Sequence, residues 1–357
     1  MQTEQEPLDL TETSSLVVGG AGFVGSNLVR RLLADGADHV AVVDNLLSAE
    51  RSNLPADDRI TFIEGSISDD AIVGSLEDEF DFAFHLATFH GNQSSIADPI
   101  ADHENNTLTS LKLFHRLSGF ERLKKVVYSS AGCAVAEKTF EDAEATPEDA
   151  PVSLYMDSPY SISKIIGEFY GNYFEKQCGL PFVKARFQNV YGPGEILGAG
   201  RWRGTPHTVW RNVTPTFIWK ALHGESLPVE NNGIATRDFI FVEDIVDGLV
   251  RCATRGGVGE IYNLASGRET SIADLATKIN ELTDNPGGIE WRPARTWDNS
   301  GKRHGAPAKA RDEIGFETKI DIQEGLERTV AWTRENMDSI ASCIAQHDGH
   351  MGTVTSS

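Results

Sequence analysis

Cysteine is scarce in this chain: Cys133, Cys178, Cys252 and Cys343 stand alone among 357 residues. Their separations match no metal-ligand spacing, and four are too few for a disulfide framework. No metal site is expected, and a reducing cytoplasm is the default location. Long apolar runs are also missing. The longest, such as Leu16–Val18 and Val40–Val43, are far too short to cross a bilayer. Residues 1–14 carry neither a basic region nor an apolar stretch, which argues against a secretory signal. Basic residues are few: 32 Lys and Arg face 53 Asp and Glu, for a net charge of −21. That charge repels nucleic acid and acidic membrane surfaces. The acidity is spread along the chain, and Arg outnumbers Lys 20 to 12. A dispersed acidic surface keeps a protein hydrated in high salt, so a halophilic source is expected. A mildly acidic mesophilic enzyme is the plainer alternative.

What the chain has in quantity is alternation. Short runs rich in Val, Ile and Phe occur at Leu16–Gly19, Val40–Asp44, Ile60–Glu64, Phe82–Leu86, Val126–Ser130 and Phe182–Phe187. Helical stretches lie between them, among them Phe23–Ala34, Ile100–Leu117 and Tyr160–Gln177. This order predicts an α/β fold, a doubly wound parallel sheet covered on both faces. After Tyr191 comes a loop rich in Gly, Arg and Trp, then a helix near Thr214–His223. Phe239–Val242 is expected to return to the sheet, and Thr270–Leu282 and Asp321–Gln346 to leave it again. The expected division is a Rossmann-type domain over 14–190, rejoined by 236–262, and a smaller interwoven C-terminal substrate lobe over 191–235 and 263–340. Residues 1–13 and 347–357, polar and aperiodic, are expected to be disordered tails.

Gly19, Gly22 and Gly25 follow the first strand and open the first helix with the spacing G-x-x-G-x-x-G. The first permits a tight turn, the second lets backbone approach a pyrophosphate, and the third allows helix and strand to pack closely. The phosphates then meet the positive end of the helix, at Phe23 and Val24. Such glycines also occur for packing alone. Here Asp44 ends the second strand nineteen residues after Gly25. A carboxylate there accepts from an adenosine ribose and repels a 2′-phosphate, so NAD is favoured over NADP. A second constellation is Tyr160-Ser161-Ile162-Ser163-Lys164. Positions i and i+4 share a helix face, so phenol and ammonium project together. A phenol is a poor base at neutral pH unless an adjacent cation favours its phenolate. Alone, this pair could be chance on an amphipathic helix; after a complete dinucleotide fingerprint it reads as catalytic.

With these motifs the chain resembles an extended short-chain dehydrogenase/reductase, the group that contains UDP-galactose 4-epimerase, GDP-mannose 3,5-epimerase and sugar-nucleotide dehydratases. The resemblance runs from Ser15 to about Met337. It includes His85-Leu86-Ala87, Asn105-Asn106-Thr107, Tyr128-Ser129-Ser130, Arg186-Phe187-Gln188-Asn189-Val190-Tyr191-Gly192-Pro193 and Thr236-Arg237-Asp238-Phe239. It implies that Leu86, Ala87 and Thr88 line the cofactor with Asn106 beneath, and that Asn45, Ser66 and Ile67 lie near the adenosine. His90 would face the sugar and Asn189 the sugar or its phosphate, with Arg237 and Arg303 on the nucleotide diphosphate, where a planar guanidinium suits phosphate. The family also implies a homodimer built on the helices Ile100–Leu117 and Tyr160–Gln177, which are apolar on more than one face.

Two departures bear on the reaction. An acidic residue usual near the adenine is replaced by Ser66. The Ser or Thr that usually bonds the substrate hydroxyl falls on Ala131, so either Ser130 replaces it or the hydroxyl is dispensed with. The loop lacks the Thr-Asp-Glu of 4,6-dehydratases and the Thr-Ser-Glu of decarboxylases. Cys133 stands at the spacing of the proton-exchanging cysteine of GDP-mannose 3,5-epimerase, with Glu137 at a further matching position. The partner lysine has no clear counterpart: His90, His207 and Lys220 are weak substitutes, and the arginines of Gly198–Gly204 exchange protons poorly. Cys133 is equally readable as a small packing residue. The expected activity is NAD-dependent epimerisation of a nucleotide-diphosphate sugar through a keto sugar, most simply at C4. The alternatives are a 3,5-type epimerase using Cys133, a 4,6-dehydratase or keto-sugar reductase, and a non-catalytic NAD-binding relative.

Overall fold

The structure is a computed structural model and describes residues 9–89, 91–135, 139–294 and 301–351, with the side chain of Cys133 left out. His90, Glu137 and the Cys133 thiol therefore lie outside the described part. The apolar runs form β1 Ser14–Val18, β2 His39–Asp44, β3 Ile60–Glu64, β4 Phe82–His85, β5 Lys125–Ala131 and β6 Phe182–Phe187. With Ile261–Leu264 they make a seven-stranded sheet in the order Ile261–Leu264, β6, β5, β4, β1, β2, β3. Every neighbouring pair is parallel.

β1 is buried at all five residues, as helices on both faces require. Val17 belongs to one apolar layer with Leu28, Leu32, Ile245 and Leu249. Leu16 and Val18 belong to the other, with Phe114, Leu117 and Phe174. The helix α1, Phe23–Ala34, buries Leu28, Val29, Leu32 and Leu33. Truncating one such leucine to Ala in a packed layer costs about 2–5 kcal/mol. Strand order reverses between β1 and β4, which opens a crevice at the carboxyl ends of the strands. A second lobe covers that crevice. Its core gathers Tyr191, Phe217, Ile218, Leu227, Leu275, Ile279 and Leu326.

Three expectations are corrected. The stretch expected as one helix over Ile100–Leu117 is broken into a short helix Pro99–Asp102, a π-helical turn His103–Thr107 and a helix Leu108–Leu117. Polar side chains take the helix carbonyls there: Asn105 bonds Ala101 O at 2.8 Å, Thr109 bonds Asn105 O and Ser110 bonds Asn106 O. Such back-bonding competes with the regular ladder. Phe239–Phe241 does not rejoin the main sheet. It pairs in parallel with Asn189–Tyr191, because Phe239 and Phe241 both pack edge-on against Tyr191, and Ile261–Leu264 takes the edge beside β6 instead. Ordered structure also extends past the limits expected for the tails. Leu10 is buried and its N–H donates to Asp35 O; His347 is buried and a short helix follows at Asp348–Met351.

Candidate active site

The glycine turn after β1 presses against the strand beside it. Gly19 has φ +85°, and a Cβ on it would lie 2.4 Å from Ala87 N; a Cβ on Gly25 would lie 2.2 Å from Gly19 O. Neither position admits a side chain. α1 starts without a side-chain cap and without an acidic residue in its first turn, so its first N–H groups remain for an anion. Asp44 closes the turn from β2. Its carboxylate accepts from Ala21 N at 3.0 Å and Leu46 N at 2.9 Å. Burial raises its pKa, and the N–H groups of Leu46, Ala21 and Gly22 oppose that.

These residues open onto a cleft of about 730 Å³ between the lobes. Gly19, Gly22, Phe23, Val24, Gly25, Asp44, Asn45, Ser66, Ile67, Leu86, Ala87, Thr88, Tyr160 and Lys164 all line it. Asn106 does not. It is buried one layer behind, where its Oδ1 accepts from Thr88 Oγ1 at 3.1 Å and Phe89 N at 2.7 Å, and its Nδ2 donates to Asp102 at 2.8 Å. Asn106 thus supports the Thr88–Phe89 turn from beneath.

Tyr160 and Lys164 ride on the helix Pro159–Cys178. Ser158 caps it, accepting from Ser161 N, and Pro159 stands at its first position. Tyr160 therefore sits in the first turn, at the positive helix end that favours an anion. Lys164 follows one turn on, its ammonium 5.8 Å from the Tyr160 ring centre and donating to Ser129 O at 2.8 Å. His85, behind Lys164, is pushed down to about 3 by burial and by that ammonium, so it is neutral.

Ser130, expected to be catalytic, has a buried partner. Its hydroxyl donates to Glu168 Oε1 at 2.5 Å, and Glu168 holds Arg186 through two bonds of 2.9 Å. All three side chains are buried. Ser130 lines the cleft, but its hydroxyl is committed to this ion pair. Ala131 is buried in a small apolar cluster with Ala134, Val135 and Ile165, against which Tyr160 packs.

Asn189, Arg237 and Arg303 lie on the opposite wall of the cleft. Arg237 donates to Gly301 O at 2.7 Å, and Arg303 N donates to Thr236 Oγ1 at 3.2 Å, so the two arginine-bearing segments are tied together. Arg303 is buried, and among the described residues its Nη1 has no hydrogen-bond partner. A buried guanidinium N–H left over in this way fits an anionic ligand. The Gly/Arg/Trp-rich loop clasps the cofactor side: Arg211 donates to Ser48 O at 3.0 Å and to Ala199 O at 2.7 Å, and Arg201 N donates to Leu47 O. Sequence reading noticed this loop but not that its arginines serve as struts. The buried carboxyl of Glu195 and the ion pair of Glu168 and Arg186 were likewise missed; their partners come from other segments.

A turn built around Gly19 and Asp44, with Tyr160, Lys164 and Arg303 lining the same cleft, agrees with the family match. The model of the NAD dependent epimerase/dehydratase family covers residues 15–265. The chain belongs to that family. Among relatives in this family, UDP-glucose 4-epimerase of Mycolicibacterium smegmatis is 34% identical over 326 residues, spanning 90% of this chain and 98% of that protein. The Bordetella bronchiseptica enzyme WbmF, solved with NAD+, is 60% identical with a TM-score of 0.86, covering 96% of this chain and 99% of that one. WbmF solved with NAD+ and UDP gives 59% identity and a TM-score of 0.87, over 96% and 98% of the two chains. Among the described residues, no helix is long and apolar enough to cross a membrane.

Proposed function

We propose that this protein interconverts C4 epimers of a UDP-linked sugar through a transient keto sugar, with NAD as its resident cofactor. The observation that carries this reading is the catalytic wall itself: Tyr160 and Lys164 stand beside a strand end at Ala131 and Gly132 that has no acid to drive elimination of water. The fit for NAD rests on the closed glycine turn, the uncapped α1 and Asp44. The fit for a nucleoside diphosphate rests on Arg303 and Arg237, and the choice of UDP on the WbmF complex with UDP.

Gly19, Gly22, Phe23 and Asp44 would hold NAD, which when bound supplies a hydride acceptor and then a donor at the sugar carbon. Tyr160 takes the proton of the C4 hydroxyl as that carbon is oxidised. It gives the proton back to the ketone oxygen after the sugar has turned its other face inward. Lys164 and the helix end favour the phenolate through the cycle. Arg237 and Arg303 keep the diphosphate in place while the sugar turns.

The test is turnover of UDP-hexoses by purified protein with no nicotinamide added. C4 inversion without net redox change supports the reading. A requirement for stoichiometric NADPH would identify a keto-sugar reductase instead. We further propose a cytoplasmic homodimer from a halophilic source. Support for the dimer is the exposed apolar face of Ile162, Phe169 and Tyr173 beside Ile100; support for halophily is the net charge of −21. A melting temperature that rises into molar salt would agree with the latter, and one that falls would oppose it.

A further inference from the structure

The catalytic wall lacks one group that this chemistry uses: a hydrogen-bond donor to the sugar oxygen beside Tyr160. Ala131 has none, and the Ser130 hydroxyl is taken by Glu168. Gln188 lies next to the gap. β5 and β6 pair with Ala131 opposite Phe187, so Gly132 and Gln188 are the next residues on the two neighbouring segments. The Gln188 carboxamide fills the space that a side chain at 132 would need. A Cβ on Gly132 would lie 2.1 Å from its Nε2 and 2.8 Å from its Oε1; from the other side, a Cβ on Gly305 would lie 2.7 Å from Nε2. Gly305 is itself anchored, its N–H donating to buried Asp238 at 3.2 Å.

Two glycines from distant segments therefore open a slot for this amide. Gln188 lines the cleft with Tyr160 and Ala131. Gln188 is half-buried, and its side chain makes no hydrogen bond to any described residue. A carboxamide has two N–H donors and an acceptor oxygen. Half-buried at the end of the strand and facing the cleft, it has polar capacity that a ligand can use.

We propose that Gln188 is a catalytic residue that donates to the oxygen on the carbon undergoing oxidation, in place of the hydroxyl absent at 131. This rests on the epimerase reading above. The amide neither gains nor loses a proton. It stabilises the oxygen as alkoxide character develops and orients the hydroxyl toward Tyr160. The arrangement also explains why residue 132 has no side chain: Gly132→Ala would push the amide out of its slot.

The experiment compares wild type, Gln188→Ala, Gln188→Leu, Ala131→Ser and the double variant Gln188→Ala with Ala131→Ser. All are assayed on the UDP-hexose that the wild type turns over, with NAD content and melting temperature measured on each. Removing an oxyanion-type donor lowers kcat on the order of 10²-fold. That loss is expected for Gln188→Ala and Gln188→Leu, with NAD content and KM little changed. In the double variant the restored serine hydroxyl should recover at least a tenth of the wild-type kcat, which a merely structural role for Gln188 does not produce. Wild-type kcat in both single Gln188 variants, or no recovery in a folded, NAD-loaded double variant, overturns the proposal. A wild type that turns over no UDP-hexose overturns the epimerase reading and this inference with it. A working wild type with indifferent Gln188 variants overturns this inference alone.

Discussion

Ser130 and Glu195 are polar residues of the cleft wall whose neighbours give them tasks their types do not announce. Ser130 bonds Glu168 beside Arg186, so Ser130→Ala should destabilise the fold by about 1.5–3 kcal/mol, the range for a hydrogen bond to a charged group. Its kcat should stay within a few-fold of wild type. Urea melts and steady-state turnover check both, and a large loss of kcat at unchanged stability would return Ser130 to the catalytic role expected from sequence. Glu195 is buried, with Oε1 accepting from Asn212 and Oε2 lacking a partner among the described residues. Burial pushes its carboxyl from 4.5 up to about 7. Between those values the unfolded chain has released the proton that the folded protein retains. Stability from this group therefore falls as pH rises through that window, by at most about 1.4 kcal/mol per pH unit, and is fully present only below it. Glu195→Gln should gain on wild type at pH 8 and lose that advantage at pH 4, read as urea midpoints. That Gly19, Asp44, Tyr160 and Lys164 meet in one cleft was legible, because their spacing places them at strand ends and on one helix face. Glu168, Arg186 and Glu195 were not, since burial and a partner brought by another segment define them.

At the level of elements, the ends of the catalytic helix are visible in the chain. Ser158-Pro159 starts it and Gly179, in the left-handed region at φ +73°, stops it. The π-helical turn His103–Thr107 was invisible, because apolar periodicity does not record side chains that bond backward to carbonyls. That turn carries Asn106 under the Thr88–Phe89 turn, and Asp102, which ends the short helix before it, bonds Ser163 of the helix Pro159–Cys178. Asn106→Ala would strand the Phe89 N–H and one Asp102 oxygen in a buried place, at about 1–3 kcal/mol for each unsatisfied group. The expected result is a lower melting temperature together with NAD binding weakened more than tenfold by calorimetry. Unchanged NAD affinity would separate Asn106 from the cofactor loop. The exchange of Phe239–Phe241 for Ile261–Leu264 at the sheet edge was missed for a related reason: both are short apolar runs, and only the aromatic contacts with Tyr191 sort one from the other.

For the whole molecule, the sheet order follows from repeated β-α-β units, but the way the second lobe closes over the cleft depends on contacts such as Arg211 to Ser48 and Arg303 N to Thr236, which composition does not encode. Ile162, Phe169 and Tyr173 are 46%, 57% and 58% exposed. Their spacing of seven and four residues puts them on one helix face. Phe169→Asp with Tyr173→Lys should convert a dimer to a monomer in light scattering at low and at molar salt; an unaltered mass would move the interface elsewhere. The central claim, reversible oxidation at C4 with Tyr160 as the base, is tested most directly by turnover of UDP-hexoses in deuterated water followed by NMR. The account predicts a C4-inverted product with no deuterium on carbon, because the hydride leaves and returns within the site. Deuterium at C3 or C5, or a 4-keto-6-deoxy product, would contradict it, the first pointing to proton exchange by Cys133 and the second to a dehydratase.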